Sequence, residues 1–388
     1  MGCFCVSSME KKMDVKMKIL YIITKSEPGG AQTHIWQLSK YFIGKGFKIG
    51  VMSYPGGWLE KEVKKLRVKF YPNYFLSNSI NPIQDFRAIR EIKKAVREFK
   101  PDLVSCHSTK AGFLGRLAIR NKIPTIFTAH GWAFTEGASF FRKQLTILIE
   151  KISGKFCSKI ICVSEFDKKL ALKYKIVSPN KLTVIHNGVE ILQDDTGIKQ
   201  KNVERIIKIV FVGRLAKQKD PLLLLRAFND LPSELRNKAQ VSIVGEGSKR
   251  KELEKFIKEN RLEEKVRLLG GLPREKVFEI LKKSDIFVLT SNWEGFPRSI
   301  LEAMSYGLPV IASDVGGVKE AIDESCGILV KRRDKEGIKN ALEKLLKNPP
   351  LIEKMGKKAK EKAKKEFSLD KMLEKTEKIY QELYKNRF

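Results

Sequence analysis

Glu294 and Glu302, with seven residues between them, are the pair whose spacing most strongly indicates a chemical role. They lie in SDIFVLTSNWEGFPRSILEAMSYGLPVIASDVGGVKEAI, residues 284–322, which has the pattern of a strand, a loop and a helix. Glu294 falls in the loop and Glu302 in the first turn of the predicted helix. Backbone N–H groups around Phe296 to Ile300 would face an anion there. Two carboxylates beside such donors could bind the hydroxyls and phosphates of a nucleotide sugar.

Glu302 has an alternative explanation. Ser299 and Glu302 have the spacing of a capping box, in which the two side chains satisfy N–H groups at the start of a helix. Helix stability alone would then account for Glu302, whereas Glu294, followed by Gly295, has no comparable explanation. From the residues alone, a functional pair and a structural one both stay open.

Two cations and two glycines follow strands elsewhere in the chain. Arg214 and Lys219, in GRLAKQKDP, precede a helix, where a guanidinium fork and an ammonium could bind a diphosphate or simply face solvent. Gly29 and Gly30 open a helix after the first strand. They would either let backbone N–H groups approach an anion or form a tight turn with positive φ. These glycines have neither the spacing of a dinucleotide-binding fingerprint nor that of a P-loop.

The four histidines lie at or near predicted strand ends. His107, His130 and His186 each close a strand, and His34 follows the Gly-Gly turn. In open α/β sheets, ligands bind beyond the carboxyl ends of the strands. A single histidine at a strand end is commonly structural, but three at equivalent ends suggest a shared cleft.

Two runs of alternating strands and helices must position these residues. Short β-branched segments alternate with amphipathic ones up to residue 190, and the alternation restarts at residue 205 after the polar stretch 191–204. Continuous apolar strands separated by helical periods predict an α/β protein with two doubly wound parallel sheets. From about Lys335 onward, the pattern predicts amphipathic helices only.

The composition excludes several classes of protein. Of 388 residues, 42% are hydrophobic, which is too many for a disordered chain. No run of about eighteen apolar residues occurs, so no membrane-spanning helix is predicted. The formal net charge of +31 indicates either a solvated lysine-rich surface or an anionic partner, such as a phosphate-bearing substrate or an anionic membrane. No nucleic-acid-binding module or basic aromatic groove is recognisable, so nucleic acid is not an expected partner.

The six cysteines show neither the spacing of zinc ligands nor a disulfide framework. We therefore expect no metal site and a reducing, cytoplasmic location. Residues 1–16 are predicted to be a disordered extension, in which Cys3 and Cys5 could carry lipid, although a misassigned start is the favoured explanation.

Together these motifs resemble the retaining glycosyltransferases of family 4, formerly called group 1, which have the GT-B fold. The resemblance runs from about Met17 to the C-terminus. It is carried in order by PGGAQTHI, TAHG, VIHNGVE, VGRLAKQKD and the glutamate pair followed by AMSYGLPVIASDVGG. Residues 107–137 further resemble members that build capsule, O-antigen and other cell-surface polysaccharides, some of which act on polyprenyl-diphosphate-linked sugars.

The resemblance implies two Rossmann-like domains that face each other across a cleft. Residues 17–190 would form the N-terminal acceptor domain and residues 205–365 the C-terminal donor domain. A helix within residues 366–388 would pack back on the first domain.

The resemblance also implies a role for each matched residue. The expected catalytic residues are His130, Glu294, Arg214 and Lys219. Arg214 and Lys219 would bind the diphosphate, Glu302 the donor ribose, and Glu294 with Gly295 and Phe296 the region of the donor sugar. Gly29 and Gly30 would form a loop that closes on the phosphates. Pro297 departs from the pattern of many relatives and removes one backbone donor, while Arg298 could contact a phosphate or face solvent.

The implied reaction moves a hexose or N-acetylhexosamine from a nucleotide sugar, first of all a UDP-sugar, to a sugar or a polyprenyl-diphosphate-linked sugar. It would retain the anomeric configuration and need no metal or cofactor, at or near the inner face of the cell membrane. The alternatives are a nucleotide-sugar epimerase of the same fold and, less favoured, a basic nucleic-acid-binding protein. Such epimerases lack the glutamate pair and the TAHG loop.

Overall fold

The two predicted runs of strands form two separate sheets. The computed structural model describes residues 17–386 apart from 78, 80, 136, 138 and 192–205. The predicted N-terminal extension, with Cys3 and Cys5, lies outside the described residues, as does all of the predicted linker except Ile191.

The first sheet is parallel and has seven strands in the order β3-β2-β1-β4-β5-β6-β7. Its strands are β1 (Lys18–Ile22), β2 (Lys48–Ser53), β3 (Lys69–Pro72), β4 (Leu103–His107), β5 (Thr125–Ala129), β6 (Lys159–Cys162) and β7 (Leu182–Val184). The helices between them are α1 (Gly30–Gly44), α2 (Trp58–Lys65), α3 (Pro82–Phe99), α4 (Thr109–Ile119), α5 (Phe140–Gly154) and α6 (Glu165–Lys173). All residues of β4 and β5 are buried, as expected for parallel strands covered on both faces. The short β3 is a strand that the sequence pattern does not predict.

The second sheet is parallel and has six strands in the order β10-β9-β8-β11-β12-β13. Its strands are β8 (Ile207–Val212), β9 (Ala239–Val244), β10 (Val266–Gly270), β11 (Ile286–Leu289), β12 (Val310–Ser313) and β13 (Gly327–Val330). Its helices are α7 (Pro221–Asn229), α8 (Ser233–Asn237), α9 (Arg250–Glu259), α10 (Arg274–Lys283), α11 (Arg298–Ser305) and α12 (Val318–Ala321). The strand order reverses between β8 and β11, and ligands of open α/β sheets bind outside the carboxyl ends at such a point.

The chain ends in the predicted series of helices, α13 (Lys335–Leu346), α14 (Pro349–Glu366) and α15 (Leu369–Lys385). Pro349 and Pro350 are in the first turn of α14, where a missing N–H group leaves no hydrogen bond unmade. The Asn348 side chain caps this turn by accepting from the Leu351 N–H at 3.2 Å. Among the described helices, none is both long and apolar enough to cross a lipid bilayer.

The chain divides into two compact units that do not coincide with the two sheets. Of the described residues, the first unit comprises those up to 127, residues 156–158 and those from 380 onward, and the second comprises those within 128–155 and 159–379. Within the first unit, the buried ring of Tyr380 from α15 stacks on Phe42 at 5.2 Å. Its hydroxyl donates to Ser105 Oγ at 3.0 Å. The predicted return of the C-terminal helix is confirmed, whereas the domain limits 17–190 and 205–365 stay a prediction.

Candidate functional site

The loop after β8 and the loop after β11 are joined by hydrogen bonds within the second unit. The side-chain amide of Asn292 donates to the carbonyl of Lys217 at 2.7 Å. The hydroxyl of Thr290 donates to the carbonyl of Asp220 at 2.8 Å. These bonds hold the two loops against each other at the carboxyl edge of the second sheet.

Lys219 and Glu294 form a buried ion pair between these loops. Lys219 Nζ lies 2.5 Å from Glu294 Oε1, and Ser291 Oγ donates to the same oxygen at 2.5 Å. Only 14% of the Lys219 side chain and 6% of the Glu294 side chain are exposed. Arg214 lies in the same loop as Lys219 but is exposed, and its Nη2 donates to Gln218 Oε1 at 3.1 Å. The structure thus brings together three of the four residues expected to be catalytic.

Glu302 lies in the second turn of α11, because the helix begins at Arg298 with Pro297 as its N-cap. The prediction of a first-turn position is wrong. Ser299 is inside the helix instead of capping it, so the capping-box explanation of Glu302 is wrong as well. Arg274 Nη2, from the first residue of α10, lies 3.8 Å from Glu302 Oε1. Tertiary contacts with cations, and not a local cap, therefore surround this carboxylate.

The charges around Glu302 are mostly enclosed by protein. Burial raises the pKa of Glu302, and the nearby guanidinium groups of Arg298 and Arg274 oppose that rise. Burial also lowers the pKa of Arg298 to about 10, so this group stays protonated at neutral pH. Arg298 is 8% exposed, and the alternative in which it faces solvent is wrong. A carboxylate beside two guanidinium groups can bind hydroxyls and phosphates together.

A close backbone approach brings His130 to the Glu294 loop. A Cβ on Gly295 would lie 2.9 Å from Gly131 Cα and 3.0 Å from the His130 carbonyl oxygen. Gly131 also has a φ of +108°, a conformation that favours glycine. Because both glycines lack a side chain, the two loops can touch, and His130 lies beside Gly295.

The imidazole of His130 is neutral at neutral pH. Burial lowers the pKa of His130 to about 3, and the positive charge of Arg298 contributes to the lowering. A neutral imidazole can exchange hydrogen bonds with a sugar hydroxyl, but it cannot serve as a proton donor with a pKa near neutrality.

Two side chains of the VIHNGVE motif support the Phe296 part of the loop. Asn187 Nδ2 donates to the carbonyl of Phe296 at 2.8 Å, and the His186 ring packs 4.7 Å from the Phe296 ring. His186 Nε2 lies 2.8 Å from Glu320 Oε2. The role that the structure gives His186 is therefore to position Phe296.

Gly29 and Gly30 belong to the first unit and begin α1. Gly29 is the N-cap with an extended φ of −179°, and Gly30 is the first helical residue. The alternative of a tight turn with positive φ is wrong, because neither glycine has a positive φ, and the predicted approach of their N–H groups to phosphates stays a prediction. His34 and His107 also lie in this unit, with their rings 5.7 Å apart.

Two charged neighbours of Glu302 are not evident in the sequence. Arg274 belongs to no recognised motif, so the sequence carries no signal for it. Glu190 lies near enough to raise the pKa of Glu302 through its charge. It is the last residue of VIHNGVE, a motif that carries the family pattern without indicating a role for this glutamate.

The chain matches two protein-family profiles and resembles known glycosyltransferases along its length. Residues 194–362 match "Glycosyl transferases group 1" and residues 28–191 match "Glycosyltransferase Family 4". The Escherichia coli UDP-Gal:alpha-D-GlcNAc-diphosphoundecaprenol alpha-1,3-galactosyltransferase is 30% identical, over 97% of this chain and 100% of the relative. The Escherichia coli O-antigen biosynthesis glycosyltransferase WbnH is 29% identical, over 81% of this chain and 86% of its own length.

A solved structure shows the same fold. The crystal structure of Anabaena Alr3699/HepE in complex with UDP-glucose superposes with a TM-score of 0.80 at 20% identity, over 94% of this chain and 100% of HepE. The predicted GT-B fold class is confirmed. Neither the epimerase nor the nucleic-acid-binding alternative is favoured by these similarities.

Proposed function

Because the chain belongs to the group 1 glycosyltransferases, we propose that it transfers a hexose or N-acetylhexosamine from a UDP-sugar to a polyprenyl-diphosphate-linked sugar. The observation that carries the proposal is the Lys219–Glu294 ion pair, in loops that also bear Arg214 and approach the His130 carbonyl, at the carboxyl edge of the second sheet. A UDP donor is supported by the Escherichia coli relative, a UDP-Gal galactosyltransferase, and by HepE, whose structure contains UDP-glucose. A lipid-linked acceptor is supported by the same relative, which acts on GlcNAc-diphosphoundecaprenol.

The donor diphosphate would bind to the cations of the loop after β8. Arg214 is exposed and offers a guanidinium fork, while Lys219 offers a fixed point charge that Glu294 holds in place. The start of α11 would add backbone donors, although Pro297 supplies none. Glu302, flanked by Arg274 and Arg298, would accept hydrogen bonds from the ribose hydroxyls.

The proposed reaction needs no metal, cofactor or dedicated base. The bond between the anomeric carbon and the diphosphate breaks, and Arg214 and Lys219 stabilise the negative charge that grows on the leaving UDP. The acceptor hydroxyl attacks from the same face, its oxygen bonds to the anomeric carbon, and its proton passes to the departing phosphate. His130 and Glu294 would hold hydroxyls of the transferred sugar, consistent with a neutral imidazole.

The donor site is tested by calorimetry with a panel of UDP- and GDP-sugars. We expect one UDP-sugar to bind, and Glu302→Ala and Arg214→Ala each to weaken it by roughly 10- to 100-fold, because each removes hydrogen bonds to a charged group. Arg226→Ala, which removes an exposed arginine from α7, is the matched control. Failure of every nucleotide sugar to bind, or equal weakening by the control, would refute this donor site.

The stereochemistry and metal requirement are tested by transfer to a short-chain prenyl-diphosphate-linked sugar. An α-linked donor should give an α-linked product by NMR, and excess EDTA should leave the rate unchanged. A β-linked product would contradict retention. A rate lost in EDTA and restored by Mg²⁺ or Mn²⁺ would contradict metal independence.

A further inference from the structure

Helix α5 exposes a stripe of large apolar side chains. Of the eleven large apolar side chains exposed in the described part of the chain, five belong to α5: Phe140, Phe141, Leu145, Leu148 and Ile152. Phe141 is 84% exposed and Leu148 is 55% exposed. Single exposed apolar residues are ordinary on protein surfaces, whereas a contiguous set on one helix marks an interaction surface.

The spacing of four of these residues places them on one face of the helix. Phe141, Leu145, Leu148 and Ile152 follow one another by four, three and four residues, which matches the turn of an α-helix. The opposite face is the one that packs on the protein, and its buried residues are Ile147, Glu150, Ser153 and Gly154. The stripe is therefore a second apolar face, which this unit leaves exposed.

The charges on α5 distinguish among possible occupants of the stripe. Arg142 and Lys151 are exposed and lie on opposite flanks of the stripe at 100° per residue, and Lys155 is exposed just beyond the helix end. The one acidic residue of α5, Glu150, is 1% exposed. An apolar stripe with cations alone at its sides matches an anionic bilayer surface. A second copy of this chain would bring like charges together.

We propose that α5 is an interfacial helix that binds an anionic membrane, with the stripe from Phe141 to Ile152 inserted at the boundary of headgroups and acyl chains. The inference rests on the proposed function in one respect: an acceptor on a polyprenyl chain is located in a membrane, so the enzyme must reach the membrane surface. The surface itself is defined by exposure and charge alone. The partner is the phospholipid surface, which is distinct from the substrate.

Flotation with vesicles of equal parts phosphatidylglycerol and phosphatidylcholine tests the stripe. The wild-type protein should float with the vesicles, and Phe141→Ser/Leu148→Ser should lower the partition coefficient by roughly 10- to 100-fold, because two exposed apolar groups no longer insert. The matched control is Ile83→Ser/Phe86→Ser on α3, which removes another exposed apolar pair, 69% and 61% exposed. Unchanged thermal unfolding would show that both variants fold.

The charged flanks are tested separately. Arg142→Gln/Lys151→Gln should weaken binding to the anionic vesicles by roughly fivefold per charge and should not affect phosphatidylcholine vesicles. Lys251→Gln/Lys258→Gln, which removes two exposed cations from α9, is the control for net charge. An equal loss in this control would overturn the assignment to α5.

Three other outcomes would overturn the inference: a wild-type protein that does not float, a loss of flotation in the α3 variant instead, or a dimer that dissociates in Phe141→Ser. Transfer to a water-soluble acceptor separates this inference from the proposed function. The stripe variant should keep full activity on that acceptor and lose it on an acceptor embedded in vesicles. A protein that floats but transfers no sugar would contradict the proposed function only.

Discussion

The ion pair between Lys219 and Glu294 joins two loops that are separate in the sequence, and both side chains are largely buried. Removal of one member of a buried pair leaves the other charge without compensation, which is more costly than removal of both. The pair therefore has two separable effects: it stabilises the loops and it fixes the charges that would meet the donor.

A double-mutant cycle separates these effects. Lys219→Met should lower the free energy of unfolding by about 3–5 kcal/mol, because Glu294 is left buried and unpaired. Lys219→Met/Glu294→Leu should recover much of this loss in urea denaturation, while sugar transfer stays abolished in both variants. Strictly additive effects on stability would contradict a direct coupling of the two charges.

The lowered pKa of His130 predicts a pH dependence of stability. The ordinary pKa of histidine is 6.5 and that of folded His130 is about 3, so the unfolded chain binds a proton in this interval that the folded chain does not. With respect to this group, the free energy of unfolding is at its full value above about pH 6.5. It falls progressively as the pH drops toward about 3.

The measurement is the urea midpoint between about pH 5 and 7, in wild type and in His130→Asn. The variant should show a shallower fall in stability on acidification, because it lacks the titrating imidazole. Equal slopes in the two proteins would mean that His130 does not have the lowered pKa.

The helix α11 and the loops before it depend on a contact that admits no side chain. Gly295 meets Gly131 and the His130 carbonyl oxygen, which are backbone atoms that cannot rotate away. The same contact positions His130 against the loop that bears Glu294, so packing and function are coupled at this point.

Gly295→Ala should separate the two loops. We expect a loss of about 1–3 kcal/mol in unfolding free energy, typical of overpacking, and a larger loss of transfer rate than of donor binding. Gly44→Ala is the matched control, because a Cβ there meets no atom within 4 Å and Ala is favoured in helices. A Gly295→Ala enzyme with wild-type kinetics would show that the close approach has no functional consequence.

The end of the chain completes the core of the first unit. Tyr380 of α15 is fully buried against Phe42, and its hydrogen bond to Ser105 joins residues 275 positions apart. The last helical turns are therefore structural parts of a unit whose strands come from the other end of the sequence.

Two substitutions at Tyr380 measure separately how much its hydroxyl and its ring contribute to the free energy of unfolding. Tyr380→Phe should cost about 0.5–1.5 kcal/mol through the lost hydrogen bond, and Tyr380→Ala about 3–5 kcal/mol through the lost ring. Urea denaturation of both variants, with fluorescence and circular dichroism as separate probes, measures the difference. Equal stability of Tyr380→Ala and wild type would exclude α15 from the core of the first unit.

The two α/β runs and the loops that carry the site follow from the amino-acid sequence alone. Parallel strands have a local signature of continuous apolar runs, and their carboxyl ends all meet at one edge, so residues that follow strands are placed there without further information. For this reason the strand pattern is sufficient to group Arg214, Lys219 and Glu294.

The pairing and support of these side chains are properties of the folded chain. Lys219 and Glu294 are 75 positions apart, and Asn187 and Phe296 are 109 apart, so neither partner is encoded in the pattern around the other. The cationic surroundings of Glu302 and the exposed face of α5 likewise depend on what the rest of the chain covers. Secondary-structure propensity depends on a few neighbouring residues. The pairing and burial of side chains depend on long-range packing, which no single segment specifies.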